Sequence, residues 1–145
     1  MKKSLRSYIH VFIQFVTLIY LSFSGSFLGH PFWIFVEVFG VIIGVWSVWL
    51  MNRSVLSVYP EPNEGIKLIQ SGPYKIIRHP MYASLFLVFV PMVIANASTI
   101  NLIVLLVFTI NQILKLLYEE QLLRKTTKGY SQYMQSTWRI IPFIF

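Results

Sequence analysis

Apolar stretches at residues 8–28, 32–51, 81–95 and 99–117 alternate with polar segments along the chain. Backbone N–H and C=O groups in lipid must be satisfied within the spanning segment, so each stretch is predicted to be a helix. The first, second and fourth have the roughly 20 residues that cross a hydrocarbon core of about 30 Å. The third is shorter and contains Pro91, which predicts a kinked or tilted span, or one supplemented by residues before Met81. The short links at 29–31 and 96–98 predict two antiparallel helical hairpins, separated by the long polar loop 52–80. Helix is expected to resume over 119–133, with a break at Gly129. The fold expected is all-α: a polytopic membrane protein with about four transmembrane helices, residues 1–145 forming one domain and a cofactor site lying at one membrane face.

Within this frame Pro60-Glu61-Pro62-Asn63-Glu64-Gly65 reads as a turn, and Ile66, Lys67, Leu68 and Ile69 as a short extended or interfacial segment. Gly25 and Gly29, like Gly40 and Gly44, are four apart, the spacing that lets helices approach closely, and packing within one chain is the simpler expectation. Glu37 stands inside the second span near its outer end, where it is expected to reach the interface rather than to serve a site. Trp138-Arg139-Ile140-Ile141-Pro142-Phe143 has the mixture of an interfacial anchor.

Composition agrees. The chain is 56% hydrophobic with only 12% charged residues, well below the quarter or so usual for soluble domains. It has no cysteine, which excludes disulfides, thiolate metal sites and a cysteine nucleophile. His10, His30 and His79 are too scattered to suggest a metal cluster. Twelve Lys and Arg against five Asp and Glu give a net charge of +7, but these charges edge the membrane, so no nucleic acid partner is expected. If the spans alternate, the Lys and Arg residues share one side and neither short link carries any. By the positive-inside rule both termini and the 52–80 loop are cytoplasmic. A prokaryotic cell membrane is the expected location. Lys2-Lys3 with the following apolar run also fits the start of a cleaved signal peptide, but the run is long for that role and further spans follow.

The densest chemistry lies in Ser71-Gly72-Pro73-Tyr74-Lys75-Ile76-Ile77-Arg78-His79-Pro80-Met81-Tyr82-Ala83-Ser84, just where the third span begins. Lys115 at the end of span four and Glu119-Glu120 beyond it fall at the same boundary. Together they predict a pocket with cations, an imidazole, carboxylates and aromatic faces beside a lipid-facing opening, suited to one polar and one apolar ligand. Two prolines stiffen the loop.

These residues resemble the integral-membrane methyltransferases that include isoprenylcysteine carboxyl methyltransferases and phospholipid N-methyltransferases. Gly72-Pro73-Tyr74, Arg78-His79-Pro80, Tyr82, Glu119-Glu120, Tyr130, Tyr133 and Pro142 follow the family's order and approximate spacing. The chain departs from the pattern at Ser84, where the family usually has Gly, and at Thr126-Thr127-Lys128-Gly129, which replaces a Phe-Gly before the first tail tyrosine. The resemblance implies S-adenosylmethionine as methyl donor. It implies donor contacts at Tyr74, His79, Pro80, Met81, Tyr82 and Glu119, with Ile66, Lys67, Leu68 and Ile69 as a strand-like donor-binding stretch. It also sets Lys115 where the carboxyl methyltransferases carry an Arg near the substrate. No glycine-rich dinucleotide fingerprint is present.

Residue types make that chemistry intelligible. His79 or Arg78 suits the donor carboxylate, and Glu119 the ammonium or a ribose hydroxyl. Tyr74 and Tyr82 offer hydroxyls and ring faces to a cation. An ionised carboxylate acceptor needs no base and would be held by Lys115, whereas an amine or hydroxyl would need Glu120, Glu119 or His79 to take a proton. Tyr130 and Tyr133 read as tail packing. The leading expectation is carboxyl or O-methylation of an isoprenylcysteine-like or other small lipid, with membrane lipids and a lipophilic small molecule as partners. The alternatives are phospholipid amine N-methylation and a non-catalytic membrane subunit. Nothing in the sequence specifies an oligomeric state.

Overall fold

The computed structural model describes residues 3–25, 31–51, 58–61 and 68–145. Ile66 and Lys67 of the expected donor-binding stretch, residues 62–65 of the turn, Arg53, Gly29 and Lys2 lie outside the described residues. The elements are α1 (Leu5–Ser24), α2 (Pro31–Met51), a 3-10 turn (Gly72–Lys75), α3 (Pro80–Ala95), α4 (Thr99–Thr126) and α5 (Tyr130–Gln135). Three of them, α1, α2 and α4, are long and apolar enough to cross a membrane, and α3 is a shorter apolar helix with Pro91 inside it. The protein is an all-helical, polytopic integral membrane protein.

Proline at the first position of α3 wastes no hydrogen bond, because first-turn N–H groups have no intrahelical partner. Ser98 caps α4 by accepting from Asn101 N. The apolar run ends at Leu117, but α4 continues as one 28-residue helix to Thr126. At 1.5 Å per residue it is about 42 Å long, so its last turns stand beyond a core of about 30 Å.

The short links predict hairpins of consecutive helices, but the extensive packing is between α2 and α3 and between α1 and α4. Side-chain chemistry explains both pairings. Helix α1 buries Ser7, His10, Gln14, Thr17 and Leu21 while Phe12, Phe15, Ile19 and Phe23 face outward. Lipid accepts the apolar face, whereas the polar face needs partners, and α4 supplies them. His10 Nδ1 lies 2.8 Å from Asn111 Oδ1, Lys115 Nζ donates to Gln14 Oε1 at 2.6 Å, and Tyr20 donates to Asn101 Oδ1 at 3.2 Å. Helix α2 approaches α3 through glycine: a Cβ at Gly40 would come within 2.8 Å of Leu87 Cβ, and one at Gly44 within 3.0 Å of Ser84 Oγ. The Gly40 and Gly44 pair therefore serves packing inside the chain. Ser84, the departure from the family's usual Gly, is accommodated because the facing residue is itself Gly44.

Ser4 meets Tyr118 across a 3.3 Å contact, and Leu50 and Trp46 abut Gly72. The start of α1, the end of α2, the start of α3 and the last turns of α4 thus gather at one polar end. There Glu61 accepts from Ser4 N at 2.9 Å and from Ser7 Oγ, placing a carboxylate at the N-terminus of α1. Glu37 departs from the expectation that it reaches the interface: it is 1% exposed, and neither carboxylate oxygen has a hydrogen-bond partner among the described residues.

Candidate functional site

The segment 72–79 is a partition. Gly72, Pro73, Ile76 and Ile77 line an apolar cavity of about 920 Å³, whereas Tyr74, Arg78 and His79 line a polar pocket of about 70 Å³. Local sequence sets this alternation. Gly72 has φ of +57°, a conformation that suits glycine, and a Cβ there would come within 2.7 Å of Leu50 Cδ1. Pro73 then favours the tight 3-10 turn.

The chain after α5 fixes the rest of the segment. Ile77 and Trp138 form an isolated parallel bridge, with Arg78 N donating to Trp138 O at 2.7 Å, His79 N to Arg139 O at 3.0 Å and Trp138 N to Ile76 O at 3.1 Å. The expected interfacial anchor is therefore also the clamp that holds the motif. Tyr133 donates to Tyr74 O at 2.6 Å, joining α5 to the same turn.

Buried charge converges on Glu120, which is 3% exposed. Arg78 Nε lies 2.8 Å from Oε1, His79 Nε2 lies 3.3 Å from Oε1, and Arg139 Nε lies 3.0 Å from Oε2. Arg78 also donates to the carbonyls of Met134, at 3.1 Å, and Thr137. These two residues, expected as a donor-carboxylate ligand and a proton acceptor, thus engage each other and the backbone; a carboxylate flanked by two guanidiniums is a poor base. Glu119 differs. It is half-buried, accepts from Tyr82 Oη at 2.8 Å, and lines the polar pocket. Tyr82 packs its ring 5.4 Å from the His79 ring.

Lys115, expected beside the acceptor, is 2% exposed and lines neither cavity described; its ammonium bonds Gln14 and lies 5.4 Å from the Tyr82 ring centroid. Helix α4 presents Thr109 and Ile113 to the apolar cavity instead. Pro80 is fully buried as the first residue of α3, and Met81, half-exposed, offers its carbonyl to Ser84 Oγ at 2.7 Å. Leu68 and Ile69 line the polar pocket without regular secondary structure, so that part of the expected strand-like stretch is an irregular wall.

The pocket also takes in Met51, Leu123, Thr127, Tyr130 and Tyr133. Apart from Tyr133 and Tyr130, read as packing, these were invisible to motif reasoning, although Glu119 and Leu123 are four apart and so share one face of α4, with Thr127 capping its end. Burial pushes the phenols of Tyr74, Tyr130 and Tyr133 far above the ordinary tyrosine value, with nearby carboxylates adding to the effect for Tyr74 and Tyr130. All three therefore remain protonated hydroxyl donors.

The arrangement offers an apolar chamber and a charged pocket on opposite faces of one short segment. In size the chamber falls at the upper end of the range of about 300–1,000 Å³ usual for small-molecule sites. The charged pocket has room for a few waters, at about 10–15 Å³ each by the same measure. No curated protein matches the chain. The phospholipid methyltransferase family matches over residues 34–128, which take in nearly all of α2, the partition, α3 and α4. The chain accordingly belongs to the phospholipid methyltransferase family, among the integral-membrane methyltransferases that its central motif resembles.

Proposed function

We propose that this protein transfers the methyl group of S-adenosylmethionine to the headgroup of a lipid, and that the acceptor atom is an amine nitrogen. Membership of the family supports methyl transfer to lipid at a membrane. The observation that carries the reading is the partition: one segment turns aliphatic residues to a chamber large enough for acyl chains and charged residues to the pocket behind it. The basic residues massed at the polar end support a cytoplasmic location for that pocket.

The polar pocket fits the donor in chemistry. Glu119 suits its ammonium, the His79 imidazole its carboxylate, and the Tyr74 and Tyr82 rings its sulfonium. It is too small as it stands, so the irregular wall of Leu68 and Ile69 has to move outward on binding. When bound, the donor supplies an electrophilic methyl group carried on sulfur. The chain's own part is to hold that group in line with the acceptor and to exclude water with the chamber's aliphatic wall.

An amine is favoured over a carboxylate because the expected acceptor-holding cation, Lys115, is enclosed against α1, and the chamber lining includes no Lys or Arg. Nothing there selects an anion, whereas a neutral amine attacks the methyl group through its own lone pair and then releases one proton to solvent. The test supplies purified protein in nanodiscs with methyl-labelled donor and, separately, phosphatidylethanolamine or a farnesylated cysteine. Label is expected in the phospholipid. Label in the cysteine carboxyl alone overturns the choice of acceptor, and absence of donor binding at millimolar concentration overturns the reading as a whole.

A further inference from the structure

Two buried hydroxyls in the polar pocket, Thr127 Oγ1 and Tyr130 Oη, have no hydrogen-bond partner among the described residues. Tyr130 is only 2% exposed. A buried hydroxyl left unpaired costs about 1–3 kcal/mol. Glu37 and Gln112 also carry buried polar atoms without a partner among the described residues, but Thr127 and Tyr130 are the two such residues that line this pocket, and there they form a prepared binding surface.

Their position just beyond the end of α4 indicates which ligand atoms they meet. Thr127 is the C-cap of α4, eight residues after Glu119, about 12 Å at 1.5 Å per residue, and Tyr130 opens α5. Arg78 and Glu119 supply charge to the pocket beside the His79 imidazole, whereas Thr127 and Tyr130 add neutral hydroxyls next to the aliphatic side chain of Leu123. A ligand that is zwitterionic at one end and a flat heterocycle at the other is matched by that gradient. Charge meets charge, and a purine, with its N–H donors and ring-nitrogen acceptors, meets hydroxyls able to serve as either partner.

Resting on the donor-binding reading above, we infer that Thr127 and Tyr130 are binding residues for the nucleoside end of the methyl donor, whose amino-acid end lies at His79 and Glu119. The hydroxyls contribute hydrogen bonds that exist only in the complex. Because they are unpaired beforehand, their removal weakens binding without weakening the fold.

The experiment compares the full-length protein with Thr127→Val, Tyr130→Phe and Glu119→Gln by calorimetry in detergent, using S-adenosylhomocysteine and 5′-methylthioadenosine, the second of which lacks the amino-acid end. A thermal scan of each ligand-free protein accompanies the titrations. Thr127→Val and Tyr130→Phe are expected to weaken both ligands by similar factors, about 5–20-fold each, with ligand-free melting temperatures unchanged or raised, and Thr127→Ser to restore affinity. Glu119→Gln is expected to weaken S-adenosylhomocysteine alone. If the wild type binds and both hydroxyl variants bind as it does, or lose melting temperature in step with affinity, the assignment fails. Loss of S-adenosylhomocysteine binding alone in those variants reverses the orientation and also overturns it. A wild type that binds neither ligand removes the donor-binding reading itself.

Discussion

Arg78 Nε and Glu120 Oε1 lie 2.8 Å apart with both side chains almost wholly enclosed. Ion pairs of this kind contribute little against an apolar substitute of equal shape, but breaking one strands the surviving charge, which costs roughly 3–5 kcal/mol. Here the survivors are two: Glu120→Ala leaves Arg78 and Arg139 facing each other across a buried gap. Glu120→Ala is therefore expected to lower the melting temperature sharply and to loosen the 76–79 and 137–139 pairing together. Thermal scans in detergent and hydrogen exchange at Arg78 and His79 measure both effects. A variant as stable as the wild type would show that Glu120 is not the hub of the site.

The adjacent carboxylate behaves oppositely. Glu119 is half-buried and has one bond, to Tyr82 Oη at 2.8 Å, so Glu119→Gln retains a hydrogen-bond acceptor in the same place. Its effect on stability is expected to stay within about 1 kcal/mol. Methyl transfer is expected to fall at least tenfold at sub-saturating donor, because the amide lacks the charge that pairs with the donor's ammonium. Equal losses of stability in Glu119→Gln and Glu120→Ala would erase the distinction between the two acids.

The sequence carries the spans and the motif plainly, because hydropathy reports what lipid tolerates and the residues 72–84 concentrate chemistry at one boundary. It does not carry which helices touch. That depends on side-chain direction: the polar stripe of Ser7, His10, Gln14 and Thr17 has to find α4, a requirement invisible to a measure averaging all sides of a helix. The surroundings of Lys115 are hidden for the same reason, since depth along α4 is legible but rotation about it is not. The continuation of helix beyond the last apolar residue, and its break at Gly129, are legible, because a glycine with φ of +80° interrupts a helix that polar residues otherwise carry on. The pairing of Ile77 with Trp138 joins positions far apart in the chain by backbone bonds alone, and side-chain identity does not encode it.

Helix α2 should be intolerant of even one added methyl where it meets α3. A Cβ at Gly40 would lie 2.8 Å from Leu87 Cβ and 3.1 Å from the Ser84 carbonyl oxygen, which is backbone and cannot swing away. At Gly44 the nearest atoms are Ser84 Oγ at 3.0 Å and Ser84 Cβ at 3.3 Å. Gly40→Ala is thus expected to destabilise by about 1–3 kcal/mol, and Gly44→Ala by less. Ser84→Gly should rescue Gly44→Ala and leave Gly40→Ala unimproved. Melting temperatures of the single and double variants check this, and rescue of both alike would mean that the contact at Gly40 is not to backbone.

Glu61 should set the response of the polar end to acid. Burial alone would raise its carboxyl, but hydrogen bonds from Ser7 and Ser4 outweigh that and hold it below the ordinary value of 4.5. A group whose folded-state value is depressed stabilises the fold fully above its unfolded value and loses that contribution as pH falls through the folded one. The wild type is therefore expected to hold its stability down to about pH 4.5 and to lose part of it below. Glu61→Gln, which lacks the charge at the α1 N-terminus, should be less stable at neutral pH by about 1–2 kcal/mol, and the gap should close as acid protonates the wild-type carboxyl. Melting curves for the two proteins from pH 7 to pH 3 decide the matter: a gap that stays constant, or widens in acid, would mean that the ionised carboxylate does not tie residues 58–61 to α1.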